Sequence, residues 1–243
     1  MFYNLCNMDA TLTNVKPKCE LFGRCGGCTY QDIPYEEELR LKGEMLRKLL
    51  GLNGEVFEPV VGSPEDYHYR NRLDLTLRKR RGEWRMGFMV PGSYQVLEVE
   101  SCSIARKEIS DYLPKLKEEG IKKYPDNYRT ANLTIRVGDG GRVAWGGIGR
   151  HSLRMEPKDY FWTEVSGKKI FYSLDTFFQA NLSILNLVMD KIKELVTWDE
   201  KTVFFDLYSG VGLFGIALSE KAAKVYMIEE SHTSVKVAKY NKE

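Results

Sequence analysis

The stretch TVFFDLYSGVGLFGIALS, residues 202–219, decides the reading of this chain. An apolar strand over 202–208 passes through Asp206, and Gly210, Gly212 and Gly215 follow in the order G-x-G-x-x-G. A helix is expected over about 212–221, a second strand (KVYMIE) over 224–229 ending on Glu229, and another helix from SHTSVKVAKYNKE at 231–243. Strand, glycine turn, helix, strand, helix is the opening of a doubly wound parallel sheet. Bare backbone at such a turn lets a ligand lie close, and an acid at the end of the next strand suits a ribose hydroxyl. A dinucleotide needs room for its pyrophosphate at the helix N-terminus. SAM (S-adenosylmethionine) carries no phosphate, and an acid four residues before the first glycine favours it. A tight turn with no ligand is the plain alternative.

Upstream, residues 175–196 (DTFFQANLSILNLVMDKIKELV) carry Phe178, Leu182, Leu185, Met189, Ile192 and Val196 at helical spacing, which predicts one long amphipathic helix. From about 56 to 172 the pattern changes to short strands. Leu73, Leu75 and Leu77 alternate with polar residues, Arg81-Gly82 is a plausible turn into WRMGFMV, and YQVLEVE (94–100) alternates again. A hairpin is expected about Asp139-Gly140-Gly141, and a helix over 105–119 interrupted by Pro114. Residues 35–50 (YEEELRLKGEMLRKLL) read as a helix with acids in its first turn, Arg47 and Lys48 in its last, and Gly51 just beyond.

The 243 residues are 43% hydrophobic with a net charge of +2, enough for one large or two small packed domains, and the charge is silent about partners. No signal peptide and no membrane-spanning run is expected, and the chain reads as cytoplasmic. Of its five cysteines, Cys19, Cys25 and Cys28 stand at C-x5-C-x2-C around Gly26 and Gly27. Cys102 follows a strand and Cys6 lies near the terminus. In a reducing compartment such a cluster points to a metal site, iron–sulfur or zinc, with unliganded thiols as the alternative. Arg70, Arg72, Arg78, Arg80 and Arg81, interleaved with Tyr67, Tyr69 and Trp84, suit phosphate contacts and base stacking, or a solvated hairpin tip. His68, His151 and His232 read as ordinary polar residues.

Taken together, CELFGRCGGCTYQ, YRNRLDLTL, EVESCSIA, DTFFQAN and FFDLYSGVGLFGIALS resemble, in order and spacing, the SAM-dependent RNA uridine-C5 methyltransferases. The resemblance runs from about residue 17 to the end. It implies a 4Fe–4S cluster on Cys19, Cys25, Cys28 and Cys102, and a SAM pocket lined by Gln179, Asp206, Tyr208, Gly210, Gly212 and Glu229. It also implies an RNA partner, ribosomal or transfer. The fold expected is α/β: an α+β iron–sulfur and RNA-binding part over 1–172, then the first portion of a Rossmann-like methyltransferase domain over 173–243. In the family a cysteine thiolate adds to uracil C6 and a glutamate later removes the C5 proton, both from positions after the SAM loop. No cysteine follows Cys102, so neither residue is assignable and the chain alone is expected to be inactive, as a shortened product or one part of a split enzyme. Two other readings are a non-catalytic iron–sulfur RNA-binding fragment and an NAD-dependent oxidoreductase with a zinc site.

Overall fold

The alternation in RLDLTLRKR becomes strand β1 (Arg72–Arg80), with Leu73, Leu75 and Leu77 buried on one face. The computed structural model of the chain describes residues 14–51, 57–124, 127–147 and 153–243. Cys6 and His151 lie outside them. Two compact units divide the chain, 1–63 and 64–243.

The first unit holds helix α1 (Tyr35–Leu50), with the bounds the sequence indicated. Gly51 closes it in the left-handed conformation, its N–H donating to the Arg47 carbonyl. Salt bridges Arg40–Glu37 and Lys42–Glu38 lie along its exposed surface, where solvent screens them and they add little. The Tyr35 hydroxyl accepts from the Ser63 N–H at 2.7 Å, tying the end of the unit back to the start of the helix.

In the second unit β1 is followed by β2 (Glu83–Met89), β3 (Val96–Glu98), α2 (Lys107–Lys123), β4 (Thr130–Val137) and β5 (Val143–Gly147). The five strands form one antiparallel sheet in the order β3-β2-β1-β4-β5. Arg81 and Gly82, both at positive φ, make the two-residue turn between β1 and β2, the geometry that matches strand twist. Helix α2 lays Ile109, Leu113, Leu116 and Gly120 on the apolar face of the sheet. It runs unbroken through Pro114, contrary to the expected interruption. A mid-helix proline costs about 3 kcal/mol, and four buried contact positions spread over three turns outweigh it.

A hairpin of β6 (Phe161–Val165) and β7 (Lys168–Tyr172) comes next, then α3 (Leu185–Leu195). The long helix expected over 175–196 therefore loses its first ten residues. The cause lies in the backbone carbonyls. Arg136 donates to those of Ser173 (2.5 Å) and Thr176 (3.0 Å), and Asn71 takes those of Gln179 (from its side chain, 3.1 Å) and Ala180 (from its backbone, 2.9 Å). A carbonyl already held by a distant donor does not serve a helical turn.

The chain finishes with β8 (Val203–Leu207), the short α4 (Leu213–Ala217), β9 (Lys224–Ile228) and α5 (His232–Lys242). β8 and β9 pair in parallel, as the βαβ order requires. One core joins Phe161, Val165, Ile170 and Tyr172 of the hairpin to Met189 of α3, Leu213 and Leu218 around α4, and Val237 of α5. The boundary expected at 172/173 lies inside the second compact unit, 64–243. The stretch ending at Tyr172 packs against α4 and α5 and shares their core.

Candidate functional site

The glycine turn sits at the carboxyl ends of two parallel strands, where open α/β sheets place ligands. Ser209 extends the pairing, its N–H donating to the Ile228 carbonyl at 3.0 Å. Tyr208 has φ 58° and Gly210 φ 55°, so the chain doubles back immediately after β8. Gly212 starts α4 with φ 86°, a conformation that strains any other residue. Gly215 answers a different need. A Cβ there would stand 2.7 Å from Met227 Cγ and 3.1 Å from Asp206 Oδ2, so only glycine lets α4 lie against β9.

Two carboxylates fix this turn. Glu229 Oε2 accepts from the Gly210 N–H at 2.8 Å, and its Oε1 from the Ser231 N–H at 2.7 Å. Those two amides hold its carboxyl below the ordinary glutamate value, the Ser231 amide contributing more. Asp206 is buried, and its Oδ2 accepts from the Gly215 N–H at 2.8 Å. Burial pushes the Asp206 carboxyl up from the ordinary aspartate value, opposed by that amide. Glu229 is thus a committed anion at the mouth of the turn, and Asp206 an inner clamp on α4.

Among the described residues Ser209 Oγ is buried with no hydrogen-bond partner. An orphaned hydroxyl inside a glycine turn is what a polar ligand would satisfy. Asp206, Gly210, Gly212 and Glu229 are brought together as the sequence indicated. Tyr208 belongs to the same turn, but its ring is 94% exposed. Gln179 is half-exposed and held through its backbone carbonyl by Asn71. Among the described residues no hydrogen bond links its side chain to the turn.

Sequence reasoning missed three residues. Asn241, on the last turn of α5, accepts from the Phe171 N–H at 2.7 Å and donates to the Phe171 and Val211 carbonyls at 2.9 Å each, so it joins β7 to the glycine turn. Arg136 and Asn71 fasten the DTFFQAN segment. Arg136 is 1% exposed, with its guanidinium 5.3 Å from the centre of the Tyr172 ring. Burial, helped by the repulsion of Arg72, lowers it to about 10. Nothing local in the sequence distinguishes these residues from any polar position on a strand or helix.

Cys19, Cys25 and Cys28 are half-buried in the first unit and Cys102 lies in the second. Among the described residues no three His, Cys, Asp or Glu side chains are arranged to hold a metal. The loop chemistry nonetheless suits a soft metal site: the Gly27 N–H donates to Cys25 Sγ at 3.3 Å, and amides aimed at sulfur are what cluster thiolates receive.

The arginines divide. Arg70 donates from Nε to the Arg72 carbonyl at 3.1 Å, and its backbone bridges Ala105 and Asn181. Arg72 pairs with Asp74 at 2.9 Å. Both serve the fold. Arg78, Arg80 and Arg81 line a surface groove of about 460 Å³ together with Arg85, Tyr94 and Gln95.

A family model described as tRNA (Uracil-5-)-methyltransferase matches residues 153–243. An uncharacterised RNA methyltransferase of Clostridium tetani is 26% identical over 279 residues, covering 93% of this chain and 60% of that protein. The tRNA (uracil(54)-C(5))-methyltransferase of Pyrococcus horikoshii is 28% identical over 273 residues, covering 93% and 63%. The crystal structure of the Pyrococcus abyssi tRNA (uracil-54, C5)-methyltransferase, in complex with S-adenosyl-L-homocysteine, superposes with TM-score 0.67 at 23% identity, over 89% of this chain and 62% of that one. The chain spans about three-fifths of the length of these relatives. Its fold is the mixed α/β fold of that methyltransferase, and its sequence is similar over more than nine-tenths of its length to RNA methyltransferases, a tRNA (uracil(54)-C(5))-methyltransferase among them.

Proposed function

We propose that this chain serves SAM-dependent methylation of uridine C5 in a structured RNA. The observation that carries the reading is the glycine turn itself. Glu229 holds the Gly210 amide at 2.8 Å beside the orphaned Ser209 hydroxyl, at the ends of two parallel strands. The similarity to tRNA uracil-C5 methyltransferases supports the same reading.

Bound SAM supplies an electrophilic methyl group to a uracil C5 made nucleophilic by thiolate addition at C6. The residues here do the holding. Glu229, anionic at neutral pH, accepts from ribose hydroxyls. Gly210 and Gly212 present bare backbone to the ligand, and Ser209 offers its free hydroxyl. Asp206 keeps α4 against β9 so that the turn does not spread. Gln179 stands on a segment pinned by Asn71 and Arg136, ready to hydrogen-bond a base or the cofactor.

A 4Fe–4S cluster on Cys19, Cys25, Cys28 and Cys102 belongs to the same proposal. It is supported by the C-x5-C-x2-C spacing and by the amide donated to Cys25 Sγ. Its role would be to clamp the loop of the first unit. The arginine-lined groove on β1 and β2 also suits a second reading, an RNA-binding protein without methyl-transfer activity.

Nucleoside mass spectrometry of total RNA, from cells with and without the gene, tests the proposal. Loss of 5-methyluridine from a transfer or ribosomal RNA is expected. An unchanged level contradicts the methylation reading and leaves the RNA-binding one.

A further inference from the structure

Strand β1 carries two messages. Its leucines face α2, and its other face presents Arg72, Asp74, Thr76, Arg78 and Arg80 at every second position. The register sets Arg78 directly opposite Arg85 of β2, and Arg80 opposite Glu83. Like charges directly opposite one another weaken a strand pair. Arg81 occupies the first position of the turn with φ 51°, where asparagine or glycine is favoured and a long side chain is strained. The groove they line holds four guanidiniums against one carboxylate, Glu83, which sits 3.8 Å from Arg85. Arg80 and Arg81 have no acidic partner among the described residues. None of this is needed for packing, since Arg80, Arg81 and Arg85 are exposed.

At the edge of the same groove Tyr94 is 87% exposed. It lies in the short loop between β2 and β3, and that loop is held firmly. Arg78 donates to the Tyr94 carbonyl, the Gln95 N–H donates to Ser93 Oγ at 3.1 Å, and the Val90 N–H donates to the Gln95 carbonyl at 2.9 Å. A large aromatic ring is thus left in water on a fixed backbone, beside an unneutralised basic trough.

The chemistry that satisfies both features is narrow. Guanidinium forks pair with phosphate oxygens two at a time. A plain anion would leave the ring without a purpose. A base paired in a duplex has no free face to give it, whereas an unpaired base stacks on such a ring while its backbone follows the basic groove. Resting on the reading of RNA as substrate, we infer that this groove binds an unpaired stretch of the RNA, with phosphates on Arg80, Arg81 and Arg85 and a base stacked on Tyr94. It would hold a flank of the substrate away from the glycine turn.

Fluorescence anisotropy with the 243-residue chain tests this, using a labelled single-stranded RNA of about 12 nucleotides and the same RNA annealed to its complement. Salt is varied from about 50 to 200 mM. The triple variant Arg80→Gln, Arg81→Gln, Arg85→Gln should weaken single-strand binding at least ~10-fold and lower the log–log salt slope by about 2. Tyr94→Leu should weaken it about 5- to 100-fold with the slope unchanged, and Tyr94→Phe should bind as the parent does. A control of equal charge loss on α5, Lys236→Gln, Lys239→Gln, Lys242→Gln, should change binding much less. All these positions are exposed, and matching thermal melts would certify folding. Parent-like affinity and slope in the triple variant overturn the groove assignment while the RNA reading stands. So does duplex binding as tight as single-strand binding with Tyr94→Leu silent. A parent chain that binds neither RNA overturns both. Binding to phosphatidylserine vesicles that the triple variant abolishes, with its RNA binding unchanged, would instead assign the groove to an anionic lipid surface.

Discussion

The antiparallel sheet of the second unit and the parallel pair β8/β9 are built on opposite terms. On β1, Leu73, Leu75 and Leu77 are 3, 2 and 0% exposed beneath α2. On β8, Val203, Phe205 and Leu207 are 47, 56 and 59% exposed, and Tyr226 and Ile228 of β9 stand beside them. Phe205 and Tyr226 stack with ring centres 5.0 Å apart, in the open. The first sheet is written as an alternation, one face apolar and one polar, and is covered on the apolar face. The second is written apolar on both faces, as parallel strands flanked by helices are, and among the described residues only one face is covered. The charged face of the first sheet and the bare face of the second are therefore different in kind. One is polar by sequence and suits a polyanion. The other is apolar surface in excess of what its own helices bury.

That contrast predicts unequal costs. The two largest should come from the hidden cation that ties β4 to the DTFFQAN segment and from the leucine core beneath the first sheet. Arg136→Met removes the donor to the Ser173 and Thr176 carbonyls, and urea unfolding should show a loss of about 2–4 kcal/mol. Leu113→Ala, under the covered sheet, should cost a similar amount, about 2–5 kcal/mol. A loss below about 1 kcal/mol for Arg136→Met would mean that DTFFQAN is not pinned as described. Next comes the glycine turn. Gly215→Val should destabilise by about 1–3 kcal/mol through its clash with Met227 and Asp206, and should weaken SAM binding in parallel. Smallest is the bare face. Phe205→Ser should change stability by less than about 0.5 kcal/mol while reducing the binding of a hydrophobic dye. A cost like that of Leu113→Ala would show that the face is covered after all.

Acid should separate the two carboxylates of the turn. Glu229 has a lowered folded value, so its contribution is complete above the ordinary glutamate range and is lost as pH falls through that lowered value. Asp206 has a raised one, so protonating it favours the folded state as pH falls through its raised value toward the ordinary aspartate value. Asp206→Asn should therefore flatten the dependence of stability on pH at the upper edge of the carboxylate range. Glu229→Gln should remove only the loss at lower pH.

The parts that were legible share a cause. Strand β1, the Arg81-Gly82 turn, α1 with Gly51, and the β8–α4–β9 order are fixed by neighbours within a few residues. The parts that were not legible depend on partners far along the chain. Leu182, Leu185, Met189 and Ile192 have true helical spacing, yet the carbonyls before them belong to Arg136 and Asn71, dozens of residues upstream. Pro114 marks a break that packing beneath the sheet overrides. Asp206 and Glu229 were both visible as acids near glycines. Their division into inner clamp and outward anion depends on burial, which the sequence does not state. The basic cluster was visible as a list, but its separation into the structural Arg70 and Arg72 and the groove-lining Arg78, Arg80 and Arg81 needed the register of β1 against β2 and β4.

Isothermal titration calorimetry with SAM tests the central claim most directly, because the glycine turn is the feature on which the proposed function rests. The 243-residue chain should bind SAM saturably with one site and give no heat with NAD, and Glu229→Ala should weaken SAM at least ~10-fold while the chain stays folded. Binding of NAD in preference to SAM, or SAM binding indifferent to Glu229→Ala, would contradict it.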